Sequence, residues 1–271
     1  MRVLGVIPAY NEADCIANAI AVLSRACDQI DVFDHGSTDE TAEIIRAHTE
    51  KNPTVRHRYV DRAIYPIADE KGSQVFVFWY HIAETILSQV SDFDWVVWAD
   101  ADEILRQPNG AIVTKEAIER ESNKGTDAIR PLLRQFRLTN ADETQGDYLT
   151  HMRYHKINKM AQSPRVWRIH LTPPNLPDGA HIQDPLIRKK RQKTHLWWPE
   201  GTQVSNNEWL LDNYPFRSVE QATEKIRNGR DYLMPNGRRR FHQYIGRGGR
   251  IQNIVRPHTT LLCETRSLEM P

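Results

Sequence analysis

Acidic side chains stand at the ends of short apolar segments in the first hundred residues. Asp100 and Asp102, two positions apart, follow the apolar run Trp95–Ala99, and Asp34 follows the run Ile30–Phe33. Two carboxylates at this spacing lie within reach of one hard cation. Mg²⁺ or Mn²⁺ favours such oxygen ligands and usually keeps substrate phosphates among its ligands. The residues therefore predict a metal site that holds a diphosphate.

Strand and helix patterns alternate over the same part of the chain. Short apolar runs with β-branched members predict strands, and the longer stretches between them predict helices. The predicted strands are 3–7, 30–33, 55–60 and 95–99, and the predicted helices are 14–27, TAEIIRAH and 74–90. Ser37 and Glu40 have capping-box spacing, which predicts that the second helix begins there. This alternation predicts an α/β domain with a mostly parallel sheet.

Polar segments follow three of the predicted strands, namely PAYNE, DHGSTD and DADE. Ligands of parallel α/β sheets bind outside the carboxyl ends of the strands, so the three segments should meet at one edge. Tyr10 or Asp34 could then face a base or a ribose. Taken singly, each signal is weak, because a lone D-x-D is more often a solvated loop and Asp34 and Ser37 suit helix caps. The combination, in this order and spacing, is much more specific.

The second half of the chain is less regular. Helices are predicted at 114–121 and 218–233, the latter with Ser218 and Gln221 at capping-box spacing, and strands at 128–133 and 165–169. The stretch Leu171–Pro199 holds five prolines and no periodicity, which predicts a long functional loop. No repeat or linker is evident. The prediction is one domain with a C-terminal elaboration.

Composition narrows the class of protein. The 271 residues carry 36 Lys and Arg against 35 Asp and Glu, which does not favour a nucleic-acid partner. Residues 186–256 hold 15 basic against 6 acidic side chains, typical of a solvated surface or of a surface that attracts phosphorylated ligands or anionic lipids. The three cysteines form no C-x-x-C, and no apolar stretch approaches the roughly 18 to 20 residues of a membrane span. We expect a cytoplasmic protein with at most peripheral contact, through the basic C-terminal part, with the inner face of the membrane.

Three segments resemble a known family. VIPAYNEADCIANAI is similar to the opening strand and helix of bacterial family 2 glycosyltransferases of the GT-A fold. DVFDHGSTDETAEII resembles their second strand and its D-x-G-S-T-D-x-T loop, and DWVVWADADEIL resembles the strand with their D-x-D motif. The resemblance covers roughly residues 1–105. It implies a donor-binding half at 1–105 and an acceptor-binding half at 106–271, in the same domain, that ends in a helical, basic extension. NYPFRSVEQATEKIRNG is more faintly similar to a C-terminal segment of a bacterial subgroup.

The resemblance implies a GT-A enzyme that transfers a sugar from a nucleotide-sugar donor to a hydroxyl, with Mn²⁺ or Mg²⁺ and with inversion at the anomeric carbon. A UDP-sugar is the favoured donor, and a glycan or lipid-linked saccharide of cell-surface polysaccharide synthesis is the expected acceptor. Asp34 would lie near the base, Asp100 near the ribose or metal, and Asp102 would bind the metal directly. The nucleoside would be cradled by Pro8, Ala9, Tyr10 and Glu12.

Two departures from the family pattern affect these implications. Many members have a second Asp after the first in the base-binding loop, and here that position is His35. The identity of the nucleotide is therefore open. The C-terminal segment often begins with His, and here it begins with Asn213.

An inverting transferase needs a general base near the attacking hydroxyl. Relatives often have a G-x-H-E pattern about 80 to 90 residues past the D-x-D motif, and this chain has GAHIQD. The resemblance favours Asp184 as the base, with Asp178 and Glu103 as alternatives. His181 could complete the metal shell, contact the diphosphate, or be an ordinary loop histidine.

Other functions remain open from the sequence. A nucleotidyltransferase also combines an α/β sheet with acidic metal ligands, but usually opens with a Gly-rich loop that PAYNEADC lacks. A catalytically idle sugar-binding domain would explain why Ile182 stands where the G-x-H-E pattern has Glu. The presence of Asp34, Asp100 and Asp102 argues against this alternative. A retaining mechanism is not excluded by the residues.

Overall fold

The computed structural model describes residues 1–66, 77–140, 148–158, 164–172, 201–205, 208–229, 254–255 and 262–263. The strands are β1 (Val3–Ala9), β2 (Gln29–Asp34), β3 (Val55–Tyr59), β4 (Trp95–Trp98), β5 (Glu103–Arg106), β6 (Ala128–Ile129), β7 (Leu132–Phe136), β8 (Tyr154–Asn158), β9 (Val166–Arg168), β10 (Val204–Ser205), β11 (Leu210–Asn213) and β12 (Leu262–Cys263). The helices are α1 (Ile16–Leu23), α2 (Thr41–Lys51), α3 (Val77–Leu87), α4 (Lys115–Asn123), α5 (Tyr148–His151) and α6 (Val219–Gly229), with a 3₁₀ turn at Ile169–Leu171.

The central sheet has the strand order β10-β6-β9-β4-β1-β2-β3. Strands β4, β1, β2 and β3 run parallel, and β9 lies antiparallel between β4 and β6. The predicted α/β class, with a mostly parallel central sheet flanked by helices, is confirmed. The carboxyl ends of β1 and β2 stand side by side, because Ala9 pairs with Asp34.

Helices cover both faces of this sheet, as the buried side chains of β1 show. Val3 and Ile7 enter one core with α1 and α2, whereas Leu4 and Val6 enter a second core with α3. Successive strand residues point to opposite faces, so a strand that is buried throughout must be apolar on both. This explains why β1 reads as a continuous apolar run. Among the described helices, none is both long and apolar enough to span a membrane.

A second sheet, of order β12-β8-β7-β11-β5, starts directly after the D-x-D segment. Strand β5 pairs antiparallel with β11, so that Glu103 lies opposite Asn213. Because β4 belongs to the first sheet and β5 to the second, Asp100 and Asp102 lie at the junction of the two sheets.

Several predicted boundaries are wrong. The single strand predicted at 128–133 is two strands in different sheets, and Pro131, which has no N–H to donate to a ladder, separates them. The strand predicted at 165–169 ends at Arg168 and continues as the 3₁₀ turn. Helix α2 begins at Thr41, where the Asp39 carboxylate accepts the backbone N–H, so the capping box at Ser37 is also wrong.

The predicted N-terminal cap of α6 is confirmed. The Ser218 hydroxyl accepts the backbone N–H of Gln221 at 3.0 Å, and the Gln221 side chain accepts the N–H of Arg217 at 3.2 Å. Capping residues at this spacing satisfy backbone donors that have no partner inside the helix. The cap fixes where α6 starts, and with it the position of the basic side chains on and before its first turns.

Candidate active site

The loops after β1 and β2 are joined by hydrogen bonds. The backbone N–H of Asn11 donates to the Ser37 hydroxyl at 3.0 Å, and the N–H of Glu12 donates to the Thr41 hydroxyl at 2.9 Å. Asn11 has a φ of 54°, a left-handed conformation that Asn tolerates better than most residues. The segments PAYNE and DHGSTD therefore converge as predicted and form one rigid edge.

Asp34 ends β2 inside this edge and is almost completely buried. Its carboxylate accepts the N–H of Ser37 at 2.9 Å and lies 3.3 Å from Nε2 of His57. Burial by itself would raise the pKa of Asp34, but the hydrogen bonds from His57 and Ser37 outweigh it and lower the pKa. Asp34 is therefore held as an oriented anion.

An aromatic group surrounds the next residue of the loop. The His35 ring stacks on Phe78 with centroids 4.2 Å apart, and its Nε2 lies 2.7 Å from the carbonyl oxygen of Tyr65. A carbonyl can only accept, so Nε2 carries a proton and donates. Burial lowers the pKa of His35, which favours the neutral ring. Nearby, the Arg62 guanidinium lies 3.9 Å from the centre of the Tyr10 ring.

Asp100 is oriented by its neighbours rather than left as a free loop carboxylate. The Trp98 indole N–H donates to its Oδ1 at 3.0 Å, and Nη2 of the buried Arg165 lies 3.8 Å from its Oδ2. Arg165 is bound more closely by Glu103 at 2.7 Å, and the other Glu103 oxygen accepts the N–H of Asp100. Burial and the adjacent Glu103 raise the pKa of Asp100 well above its ordinary value.

Asp102 faces a different set of partners. Lys225 Nζ donates to its Oδ2 at 3.0 Å, Arg217 Nη1 lies 3.9 Å from the same oxygen, and Asn213 Nδ2 lies 3.4 Å from Oδ1. Burial opposes ionisation of Asp102, but the charges of Lys225 and Arg217 outweigh it and lower the pKa. The pKa values of the two carboxyl groups are therefore shifted in opposite directions, down for Asp102 and up for Asp100.

Arg217, just before α6, and Lys225, on α6, both contact the loop after β1. Arg217 Nη2 donates to Glu12 at 2.5 Å, its Nε and Nη2 donate to Asp14 at 2.7 Å each, and Lys225 Nζ donates to Glu12 at 3.0 Å. Neither Arg217 nor Lys225 is among the site residues that the sequence predicts. Both residues lie in NYPFRSVEQATEKIRNG, the segment that is faintly similar to a C-terminal segment of a bacterial subgroup. A single sequence, however, does not show which loop a helix contacts.

Carboxyl groups outnumber cationic side chains among the described residues of the site: Glu12, Asp14, Asp100, Asp102 and Glu103 against Arg165, Arg217 and Lys225. Their oxygens are the ligand atoms that Mg²⁺ and Mn²⁺ prefer. Burial and the adjacent Glu103 raise the pKa of Asp100, and a cation beside Asp100 would relieve this repulsion.

Some ligand atoms cluster without needing a metal. Among the described residues, Glu12, Asp14 and Cys15 place one ligand atom each within 4.8 Å of one another. Arg217 already forms ion pairs with both carboxylates, and burial raises the pKa of the Cys15 thiol well above its ordinary value. This cluster is therefore explained by its contact with Arg217.

Of the remaining predicted site residues, some lie in the described part of the structure and others do not. Pro8 and Ala9 are buried within β1, beside Phe33 and Asp34. Both oxygens of Glu103 are engaged, which favours a structural role over that of general base. The other three predicted residues lie outside the described part of the chain: Asp178, His181 and Asp184.

Comparisons with known proteins agree with this site. Residues 6–63, which include both converging loops, match the model of glycosyl transferase family 2. The match confirms the resemblance of this segment to family 2 glycosyltransferases, and it agrees with the enzyme class predicted from the sequence. It covers roughly a fifth of the chain and ends before the D-x-D motif. A comparison with curated proteins gives no match.

Three solved structures are similar to parts of this chain, with low sequence identity and low TM-scores. A mannosyltransferase from Pyrobaculum calidifontis, solved with GDP-Man and Mn²⁺, has 20% identity over 48% of this chain and 35% of its own, with a TM-score of 0.33. Glucosyl-3-phosphoglycerate synthase from Mycobacterium tuberculosis, solved with phosphoglyceric acid, has 21% identity over 49% of this chain and 44% of its own, with a TM-score of 0.29. HddC from Yersinia pseudotuberculosis has 10% identity over 84% of this chain and 99% of its own, with a TM-score of 0.39. The chain thus spans less than half the length of the first two, and likenesses at these scores carry no argument about substrate.

Proposed function

We propose that the protein transfers a sugar from a nucleoside-diphosphate donor to a hydroxyl acceptor, with inversion at the anomeric carbon. The observation that carries the proposal is the joining of the D-x-D segment to the two loops that match the family, through Lys225. This lysine contacts Glu12 of the first loop and Asp102 of the D-x-D segment at 3.0 Å each. The acidic segment is thereby part of the same site as the loops after β1 and β2.

Asp102 and Asp100 would hold the divalent cation, Mn²⁺ or Mg²⁺. When bound, this ion stabilises the negative charge that develops on the leaving diphosphate. The protein orients Asp100 through the Trp98 indole, and it keeps Asp102 ionised through Lys225 and Arg217. Both carboxylates are therefore positioned before the donor arrives, which is what electrostatic preorganisation requires.

The donor nucleoside would lie against the loops after β1 and β2. Asp34 supplies an oriented anion near the base, and Tyr10 and Glu12 contribute to the same edge. A UDP-sugar remains the favoured donor from the resemblance. The neutral His35 stands where many relatives have an Asp, so the nucleotide has to be determined by assay.

The general base and the acceptor are proposals from the resemblance alone. Asp184 remains the favoured base, with Asp178 as the alternative, and His181 remains a proposed metal or diphosphate contact. A glycan or lipid-linked saccharide is the proposed acceptor, reached through peripheral contact of the basic C-terminal part with the inner face of the membrane.

The proposal is tested by incubating the protein with a panel of sugar nucleotides and Mn²⁺ and measuring donor hydrolysis or transfer. Asp102→Asn should abolish turnover in the folded protein. A matched control is Asp127→Asn, which alters an ion-paired carboxylate just before β6, at the opposite edge of the sheet, and should keep wild-type turnover. Binding of UDP and Mn²⁺ by calorimetry without any hydrolysis or transfer would instead indicate an idle binding domain.

A further inference from the structure

Lys225 occupies an unusual place for a basic side chain beside a proposed metal ligand. Its Nζ lies 3.0 Å from Oδ2 of Asp102 and 3.0 Å from Oε1 of Glu12, and its side chain is 25% exposed. Arg217, by contrast, is 2% exposed and is fixed by donating to Asp14, Glu12 and the Tyr214 carbonyl. Arg217 thus holds α6 in place, whereas Lys225 sits on a flexible stem that solvent reaches.

A divalent cation and Lys225 need the same carboxylate. A magnesium ion binds carboxylate oxygens at about 2.0 to 2.1 Å, and a second cation on that carboxylate repels a divalent ion at this distance. The other Asp102 oxygen does not relieve this conflict, because it faces the amide nitrogen of Asn213 at 3.4 Å. Nothing comparable opposes a cation at Asp100, whose nearest cationic atom in the described structure is 3.8 Å away on Arg165.

We propose that Lys225 is the resident counter-ion of Asp102 and that it exchanges with the divalent cation. This inference rests on the proposed function, since it assigns the metal to Asp102. Before the metal binds, Lys225 keeps Asp102 and Glu12 neutralised and the loop after β1 in place. On metal binding it releases Asp102, while Arg217 retains Glu12, Asp14 and the attachment of α6. Lys225 therefore sets the metal affinity of the site.

The test is calorimetric titration of the nucleotide-free protein with Mn²⁺ alone. Lys225→Met should bind Mn²⁺ at least tenfold more tightly than the unaltered protein. The matched control is Lys115→Met, since Lys115 is also partly buried and pairs with Asp28, and its dissociation constant should stay within twofold of the unaltered protein. A dissociation constant for Lys225→Met equal to or weaker than that of the unaltered protein would overturn the proposal.

A double-mutant cycle separates direct competition from a general effect of charge. The gain from Lys225→Met should disappear in an Asp102→Asn background, and a gain that persists would refute competition for this carboxylate. Asp102→Asn alone tests the proposed function instead: if it binds Mn²⁺ as well as the unaltered protein, the metal assignment fails. Lys225→Gln serves as a second variant, with a polar end. If Lys225→Met and Lys225→Gln both unfold the protein, Lys225 cannot leave Asp102, and this result would also overturn the proposal.

Discussion

Replacement of Arg217 by Met should strongly destabilise the protein. Arg217 is 2% exposed and makes short ion pairs with Glu12, which is 12% exposed, and with Asp14, which is 43% exposed. Breaking a buried ion pair by removing one partner costs about 3 to 5 kcal/mol, because a charge is left uncompensated. Since Asp14 can be resolvated and Lys225 still contacts Glu12, we expect the lower end, about 3 kcal/mol.

Urea denaturation without metal measures this cost. With a slope of about 3 kcal/mol per molar, the midpoint for Arg217→Met should fall by about 1 M. Arg46→Met is the matched control, because Arg46 pairs with Glu43 at the same 2.5 Å while both side chains are more than half exposed. An exposed pair contributes about 0 to 1 kcal/mol. If both variants shift the midpoint equally, burial does not set the strength of the Arg217 contacts and the reasoning is refuted.

Three further predictions concern other parts of the chain. Asp212→Asn should lower the free energy of unfolding, measured by urea denaturation, by about 3 to 5 kcal/mol, because this fully buried carboxylate forms ion pairs with Arg106 and Arg134 at 2.6 Å each. A decrease below about 1 kcal/mol would contradict this prediction. The pKa of Asp34 is lowered in the folded state, so its contribution to stability is present above the unfolded value of about 3.9 and is lost as the pH falls through the folded value. The stability difference between the unaltered protein and Asp34→Asn should therefore shrink below pH 4 in acid titrations, and a difference that grows there would be inconsistent. If Asp184 is the general base, Asp184→Asn should lower the transfer rate by about two to four orders of magnitude with unchanged donor affinity. An unchanged rate would contradict this assignment and make Asp178 the favoured base.

The donor-binding edge could be predicted from the sequence because its signals are local. Strands β1, β2 and β4 are short apolar runs that end in polar segments, and parallel strands bring such segments to one edge. The convergence of PAYNE and DHGSTD followed from that rule. Local patterns also placed the N-terminal cap of α6 correctly at Ser218.

The partners of the D-x-D carboxylates could not be predicted in the same way. Lys225 lies 123 residues from Asp102, and Arg217 lies 205 residues from Glu12, so only the tertiary fold brings them together. The capping box at Ser37 failed for a related reason. The Ser37 hydroxyl accepts the N–H of Asn11 across the two loops, a contact that sequence spacing within one loop does not reveal.

A crystal structure with Mn²⁺ and UDP tests the central claim most directly. We expect anomalous density for Mn²⁺ in contact with Asp102, the diphosphate on that ion, and the base at the edge formed by Tyr10 and Asp34. Nucleotide bound elsewhere, or Mn²⁺ bound away from Asp100 and Asp102 while the nucleotide occupies this edge, would contradict it.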